Sequence, residues 1–574
     1  MSTAKLDEPT EATPTRRGAL IGGLAAGAAA LVSACAPSAP AGSVADGARP
    51  ARLRTTTTTT TTPAATTPAA TAPTTAAPTT TAPNPTGSAA SLPAWPATWA
   101  TPAVWHVAKR LTFGPTPDVV AQISSLGTTA WIDKQLNYTT IPDPSVAAGT
   151  AFYEWSRGSA AEIGARGQEW RVVVDLPLST ALRAVLSERQ LFERTVGFWW
   201  DHLNVDVNNN AAQNHCPSYD ADVIRAHALG KFSDLLLASA KSGAMLNYLD
   251  QASSRADGGR VPNENYAREL MELHTVGVDG GYSEADVVAV SHLFSGWTLT
   301  NVWSGTFAFH PARHRLGPFA EPSTSVLGWT RGSLTGIAAG ESFLRHLARH
   351  PVTAQRIAHK LCVRFIGEHI GRNDSVVLNA RDVYLANDTG IAPTLRSILT
   401  SGEFASSADK KIRRPLELLA AGLRATSDAP FNAVTAEDTK WNFHGILTAL
   451  NAMPHHWPTP DGYPDKDAAW VSVGSMISRW NLATFMGNGN IPGFVRDWST
   501  IPAWATGPTP GSTVGEWLDG AAQRLGVPLD AAGKARMLSS VGRVASTPIN
   551  ANGNRWIAPK LLGQLMQQPQ FQTA

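Results

Sequence analysis

Charge is scarce in this sequence. Only 16% of its 574 residues are Asp, Glu, Lys or Arg, and 47 basic against 45 acidic side chains leave a formal net charge of +2. The basic excess of a nucleic-acid or polyanion binder is missing, which excludes nucleic acid as a main partner. The common catalytic frames are missing too: there is no GxGxxG loop after a strand, no Walker loop, no GxSxG elbow and no HExxH. Strand-like alternation is sustained nowhere, which argues against a β architecture. Cysteine is limited to Cys35, Cys216 and Cys362. Tryptophan, by contrast, is plentiful at 19, supplying core volume first and stacking faces for ligands second.

The first tenth of the chain is an address. Thr15-Arg16-Arg17-Gly18-Ala19-Leu20 opens an uncharged run to Ala34 that is rich in Ala, Gly and Leu. Arg16 and Arg17 read as a twin-arginine export signal. The run is at the short edge of the membrane-spanning range and only weakly apolar, so a cleavable signal fits better than a transmembrane helix. Leu31-Val32-Ser33-Ala34-Cys35 resembles a bacterial lipobox, in which the cysteine receives a diacylglyceryl thioether. Cys35 is thus the expected lipidation site, and two acyl chains hold a protein on a membrane where one gives only marginal binding. The expected location is the outer face of the cytoplasmic membrane. Twin-arginine cargo is exported folded, a route open to proteins that take up a cofactor beforehand. With Cys35 lipidated, Cys216 and Cys362 form one disulfide or stay as two buried free thiols, and no spacing decides between these.

Residues 36–92 contain the unbroken Thr55–Thr62 run and repeated Ala-Pro and Thr-Pro pairs. Such a segment cannot bury a core. Proline stiffens it toward an extended conformation of about 3.1 Å per residue, so it reaches at most roughly 180 Å. It reads as a disordered stalk that lifts the remaining residues, 93–574, into or through a cell wall.

Those residues read as mainly α, a large multi-helix domain with long Gly/Pro-rich loops at 301–338, 453–465 and 487–513. Thr116 and Pro117 start a helix, and a longer one is expected over 182–203, ending in Asp201-His202. Further helices are expected at 222–240, 264–276, 283–296, 340–367, 392–403, 410–426 and 470–486. Ser283 and Asp286 form a capping-box pattern, which makes Asp286 a cap before anything else.

The densest polar cluster runs from Asn263 to His274. At about 100° per residue, Asn265, Arg268, Glu269 and Glu272 share one helix face, and Tyr266, Ala267, Leu270 and Leu273 supply the apolar side. The polar face is an ion-pair ladder or the wall of a cleft. Glu269 and His274 stand about 140° apart on such a helix, so they cannot ligate one metal from the same face. A metal site built on His274 needs histidines from elsewhere, and the candidates are His202, His227, His292 and His314.

Several blocks resemble a bacterial family known as domain of unknown function 1800. They are Arg110-Leu111-Thr112-Phe113-Gly114-Pro115-Thr116-Pro117, Trp131-Ile132-Asp133-Lys134-Gln135-Leu136, Phe198-Trp199-Trp200-Asp201-His202 and Met245-Leu246-Asn247-Tyr248-Leu249-Asp250. The central block, Asn263 to Gly277 followed by Gly281-Tyr282, Asp286-Val287 and Ser295-Gly296-Trp297-Thr298, is the fullest match. Lys411-Ile412-Arg413-Arg414-Pro415-Leu416-Glu417, Asp461-Gly462-Tyr463-Pro464, Trp470 and Arg479-Trp480-Asn481 follow in order. The matches cover nearly all of 100–486. The resemblance implies a large, mainly helical exported protein and brings no established reaction. Where the family tends to read Trp-His-Asn-His-Phe, this chain has Trp199-Trp200-Asp201-His202-Leu203. Where the family tends to read His-Asp, it has His314-Arg315.

Two functions are compatible with these residues. One is an extracytoplasmic enzyme, a metal-dependent hydrolase or an oxidoreductase. In it Glu269 or Glu272 serves as general base or ligand, Arg268 orients an anionic group, and His202, His274 and His314 hold a divalent metal or shuttle protons. The other is a non-catalytic envelope module that binds polysaccharide or a partner protein. Its motif helix is then a structural ion-pair network, and tryptophans in 453–470 and 494–517 are sugar-stacking faces.

Overall fold

The computed structural model describes residues 99–426, 436–489, 491, 494, 513–549 and 556–574. Arg16, Arg17, Cys35, the stalk at 36–92 and most of the 487–513 loop lie outside the described residues. The fold is mainly α. Among the described residues the strands are two short antiparallel hairpins, Trp297–Leu299 with Phe307–Phe309 and Ser325–Val326 with Trp329–Thr330.

Local start signals act as the sequence predicts. The Thr116 hydroxyl accepts from Val119 N at the head of the Pro117–Leu126 helix. Ser283 and Asp286 close a reciprocal capping box on Glu284–Phe294, so Asp286 is a cap. Periodicity alone overruns the breaks, however. The expected 182–203 helix is two helices, Val172–Leu186 and Gln190–His202. Between them the Asp143 carboxylate, distant in the chain, accepts from Ser187 Oγ at 2.7 Å and Glu188 N at 3.0 Å, satisfying the Glu188 N–H outside either helix. The expected 340–367 helix divides into Gly336–Arg349 and Pro351–Phe365 because proline forces the preceding His350 into extended backbone. The stretches at 222–240 and 264–276 both contain wide i→i+5 turns, at Tyr219–Arg225 and Leu270–His274.

Two apolar cores lie side by side. The first gathers Trp131, Trp199, Leu235, Phe294, Trp297 and Phe343, and the second gathers Leu418, Leu482, Trp517 and Leu561. The Val172–Leu186 helix gives Val172 and Leu176 to the first, and Leu178, Leu182 and Val185 to the second. Arg110 reinforces the junction, donating to the carbonyls of Phe365, Ile366, Ser407 and Ala574. Cys216 and Cys362 are buried and free. Burial pushes the Cys216 thiol up and raises that of Cys362 to about 12, so neither is a ready nucleophile. Among the described residues no helix is long and apolar enough to cross a membrane.

Candidate functional site

The central motif does not continue as one ideal helix. Asn265–Glu269 is α-helical and Leu270–His274 is a π turn, a feature often found at functional positions. Tyr266, Ala267 and Leu270 are buried as expected, while Leu273 is only partly buried. On the outer side Arg268 makes a bidentate pair with Glu284 at 2.8 and 2.9 Å and further pairs with Glu264 at 3.3 Å and Glu272 at 3.6 Å. Three carboxylates therefore occupy this guanidinium, and the Glu284 side chain is 78% exposed. Glu269 is half-buried, and its carboxyl is held above the usual range by burial and by the nearby Glu272 and Asp461 charges. Exposed pairs of this kind contribute little, so Arg268→Ala should cost less than about 1 kcal/mol. Glu269→Gln should be neutral or slightly stabilising at neutral pH, because it removes a carboxylate whose ionised form the fold disfavours. Urea unfolding of both variants checks this, and a loss of several kcal/mol in either would contradict it.

His202 and His274 do meet, with ring centroids 6.4 Å apart. His202 Nε2–H donates to the His274 carbonyl at 3.0 Å, and Lys360 Nζ donates to His202 Nδ1 at 2.9 Å. Both nitrogens of His202 are engaged and neither is left to ligate. Burial, with Lys360 and Arg356 beside it, pushes the His202 imidazole well below its ordinary value, and burial with Arg356 takes His274 down to about 3. Both rings are neutral at physiological pH. His314 is placed elsewhere: its Nδ1 lies 3.0 Å from the Ser295 carbonyl oxygen and its ring packs on Phe309 at 5.4 Å. His292 Nδ1 lies 3.3 Å from the Arg315 carbonyl oxygen. Among the described residues no three His, Cys, Asp or Glu side chains converge as a metal-binding group. The shared site of His202, His274 and His314 is therefore not formed, because one ring is fully hydrogen-bonded and another belongs to a different loop.

What the motifs do build is a buried charged seam, organised by one helix. Along Pro351–Phe365, Arg356, Lys360 and Arg364 follow at i, i+4 and i+8 and so share a face. Arg356 donates to the Leu273 carbonyl at the end of the π turn. Lys360 holds His202. Arg364 donates to Asp201 Oδ2 and to Asp465 Oδ1, both at 2.7 Å. Arg414 donates to Asp201 Oδ2 at 2.6 Å and lies over the rings of Tyr463 and Trp470 at 5.6 and 5.3 Å. Glu417 accepts from the Arg414 backbone at 3.2 Å and pairs with Arg194 at 3.2 Å. Burial opposes the Asp465 and Glu417 charges, yet the surrounding arginines hold both carboxyls below their ordinary values. Gly462 completes the closure. Its φ is +72°, and a Cβ there would stand 1.9 Å from the Asp201 carbonyl oxygen, so only glycine lets the 461–465 turn dock.

The seam surrounds a cavity of about 90 Å³ lined by Asp201, Arg194, Arg364, Arg414, Glu417 and Trp470, among others. The Nε atoms of Arg194 and Arg364 have no protein partner, and the cavity has room for several waters to serve them. None of Arg268, Glu269, Glu272, His202, His274 or His314 lines it. The sequence reading missed the Arg356, Lys360 and Arg364 row, although the i, i+4, i+8 spacing is visible in the sequence.

The fold and the seam define a large helical protein whose sequence motifs meet as a buried network of alternating charges. Residues 106–573 match the family model described as protein of unknown function (DUF1800), and the chain belongs to that family. No curated protein and no solved structure shows significant similarity to it.

Proposed function

We propose that this chain is an exported cell-envelope protein, lipid-anchored at Cys35, whose stalked helical domain binds an envelope component without carrying out chemistry on it. One observation carries the non-catalytic half of this reading. The charged motif residues are consumed by one another: Asp201 by Arg364 and Arg414, Arg268 by three glutamates, and His202 by Lys360 and a carbonyl. A catalytic group needs a free valence toward substrate, and these side chains spend theirs chiefly on one another. The twin arginines, the lipobox-like cysteine and the Thr/Pro stalk support the envelope address. The hydrolase or oxidoreductase reading keeps Glu269, whose carboxyl is raised and carries no ion pair among the described residues, and the buried Nε2 atoms of His274 and His314, which make no hydrogen bond there.

Cell fractionation of the full chain and its Cys35→Ala variant tests the proposal. The wild type should partition with membranes and enter detergent, and the variant should be released from the membrane while still co-sedimenting with insoluble wall material. Cytoplasmic retention of both, or no association of the variant with the wall, would overturn it.

A further inference from the structure

Of the tryptophans expected to stack on sugars, two are withdrawn from solvent. Trp470 and Trp517 are buried, Trp457 is partly buried and donates its Nε1–H to Asp461, and Trp498 and Trp504 lie outside the described residues. Exposed indoles occur elsewhere. Trp303 is 54% exposed and Trp170 is 52% exposed, and Trp303 lines an open groove of about 650 Å³, within the usual range for ligand sites of about 300–1,000 Å³.

Trp303 sits at the tip of the Trp297–Leu299 and Phe307–Phe309 hairpin, on a backbone that is held in place. Asn214 Nδ2 donates to the Trp303 carbonyl at 3.2 Å, and Asn247 Nδ2 to the Val302 carbonyl at 2.8 Å. His215 Nε2 lies 2.9 Å from that same Val302 oxygen. Asn301 Oδ1 accepts from the backbone N–H groups of Trp303 and Ser304 at 2.9 and 3.2 Å. A Cβ on Gly243 would stand 2.1 Å from His215 Nδ1, so glycine is needed there for the imidazole to reach the hairpin. A fixed loop that keeps a large apolar ring in water is the arrangement of a preorganised binding face.

The groove beside it is floored by Ala161, Gly164 and Ala165 and walled by Asn210, Gln213, Asn214 and Asn301, with Glu169 its one charged lining residue. Trp170 follows Glu169 in the chain, and the Glu169 carbonyl accepts from Gln213. The amides retain unused capacity: among the described residues Asn210 makes no side-chain hydrogen bond, and Asn301 Nδ2, Asn214 Oδ1 and Gln213 Oε1 engage no protein group. A carboxamide offers a donor and an acceptor side by side, which suits adjacent hydroxyls on one sugar ring. An indole face suits the C–H face of the same ring.

We propose that this groove binds a neutral, linear polysaccharide segment, with Trp303 stacked on one sugar and the amides reading the hydroxyls of its neighbours. The proposal rests on the binding-module reading. The full chain carrying Cys35→Ala is titrated with linear hexasaccharides of glucose, galactose, mannose and arabinose, and is also sedimented with insoluble wall material. At least one hexasaccharide should bind. Trp303→Ala should weaken that binding tenfold or more and Asn301→Ala should weaken it measurably. Trp480→Ala, a control on an exposed tryptophan that does not line the groove, should change nothing. Because Trp303 is exposed, its variant should melt as the parent does. No binding to any of the four sugars, or binding untouched by Trp303→Ala, overturns the groove assignment. Wall association that survives Trp303→Ala leaves the binding module standing and removes only this site, whereas a parent that never associates with the wall removes the module itself.

Discussion

Replacing Asp201 with alanine should cost about 3–5 kcal/mol of unfolding free energy, far more than any change on the surface of the central motif. Asp201 Oδ2 is shared by Arg364 and Arg414, and the Arg364 side chain is 4% exposed. Removing the carboxylate leaves two guanidinium groups facing each other with only Asp465 between them, and an uncompensated buried charge costs more than the pair contributed. Denaturant unfolding of Asp201→Ala, Arg364→Met and the double variant measures the effect. The double variant should be less destabilised than the sum of the single ones, because the second substitution removes a charge that the first has stranded. Strictly additive losses, or an Asp201→Ala variant as stable as the parent, would show that the seam does not hold the fold.

The second large effect is on pH dependence. Lys360 is pushed from 10.5 down to about 8, chiefly by burial and then by Arg356, with Asp465 and Asp201 partly offsetting and Arg364 adding to the depression. The unfolded chain therefore binds this proton more tightly than the folded one. Between about pH 8 and 10.5 the unfolded state carries more protons, so this residue's contribution to stability rises with pH across that window and falls as pH drops through 8. The full gap corresponds to at most about 3 kcal/mol. Comparing the parent with Lys360→Met cancels the groups they share, Lys109 included. The stability difference should move in favour of the parent by up to that amount between pH 7 and pH 10.5. A difference independent of pH would mean that Lys360 is not held as a disfavoured cation against His202.

The surface role of Arg268 was legible as one of two alternatives, since i, i+4 carboxylates on either side of an arginine describe a ladder before they describe a pocket. The 100° arithmetic that set Glu269 and His274 on different faces assumed an unbroken α-helix. The π turn at Leu270–His274 replaces it, but the outcome is similar: His274 is buried and Glu269 half-buried. The proposed gathering of His202 with His314 failed for a different reason. Both are histidines in family-like blocks, but His314 belongs to the loop after the hairpin and spends its ring on Ser295 and Phe309. Trp470 and Trp517, expected as stacking faces, are buried for the same kind of reason. A count of 19 says that some are exposed without saying which.

The sequence alone determined the mainly helical class, the caps at Thr116 and Ser283, the family and the absence of the common catalytic frames. These follow from periodicity, capping chemistry and ordered motifs, which are local in the chain. Tertiary structure alone decided that Asp201, Arg364, Arg414 and Asp465 form one charged square, and that His202 spends both ring nitrogens inside the protein. It alone placed Trp303 beside the Asn210 and Asn214 amides. Each of these contacts joins residues tens to hundreds of positions apart. Whether a charged side chain meets water, a ligand or an opposite charge depends on which helix faces are packed together.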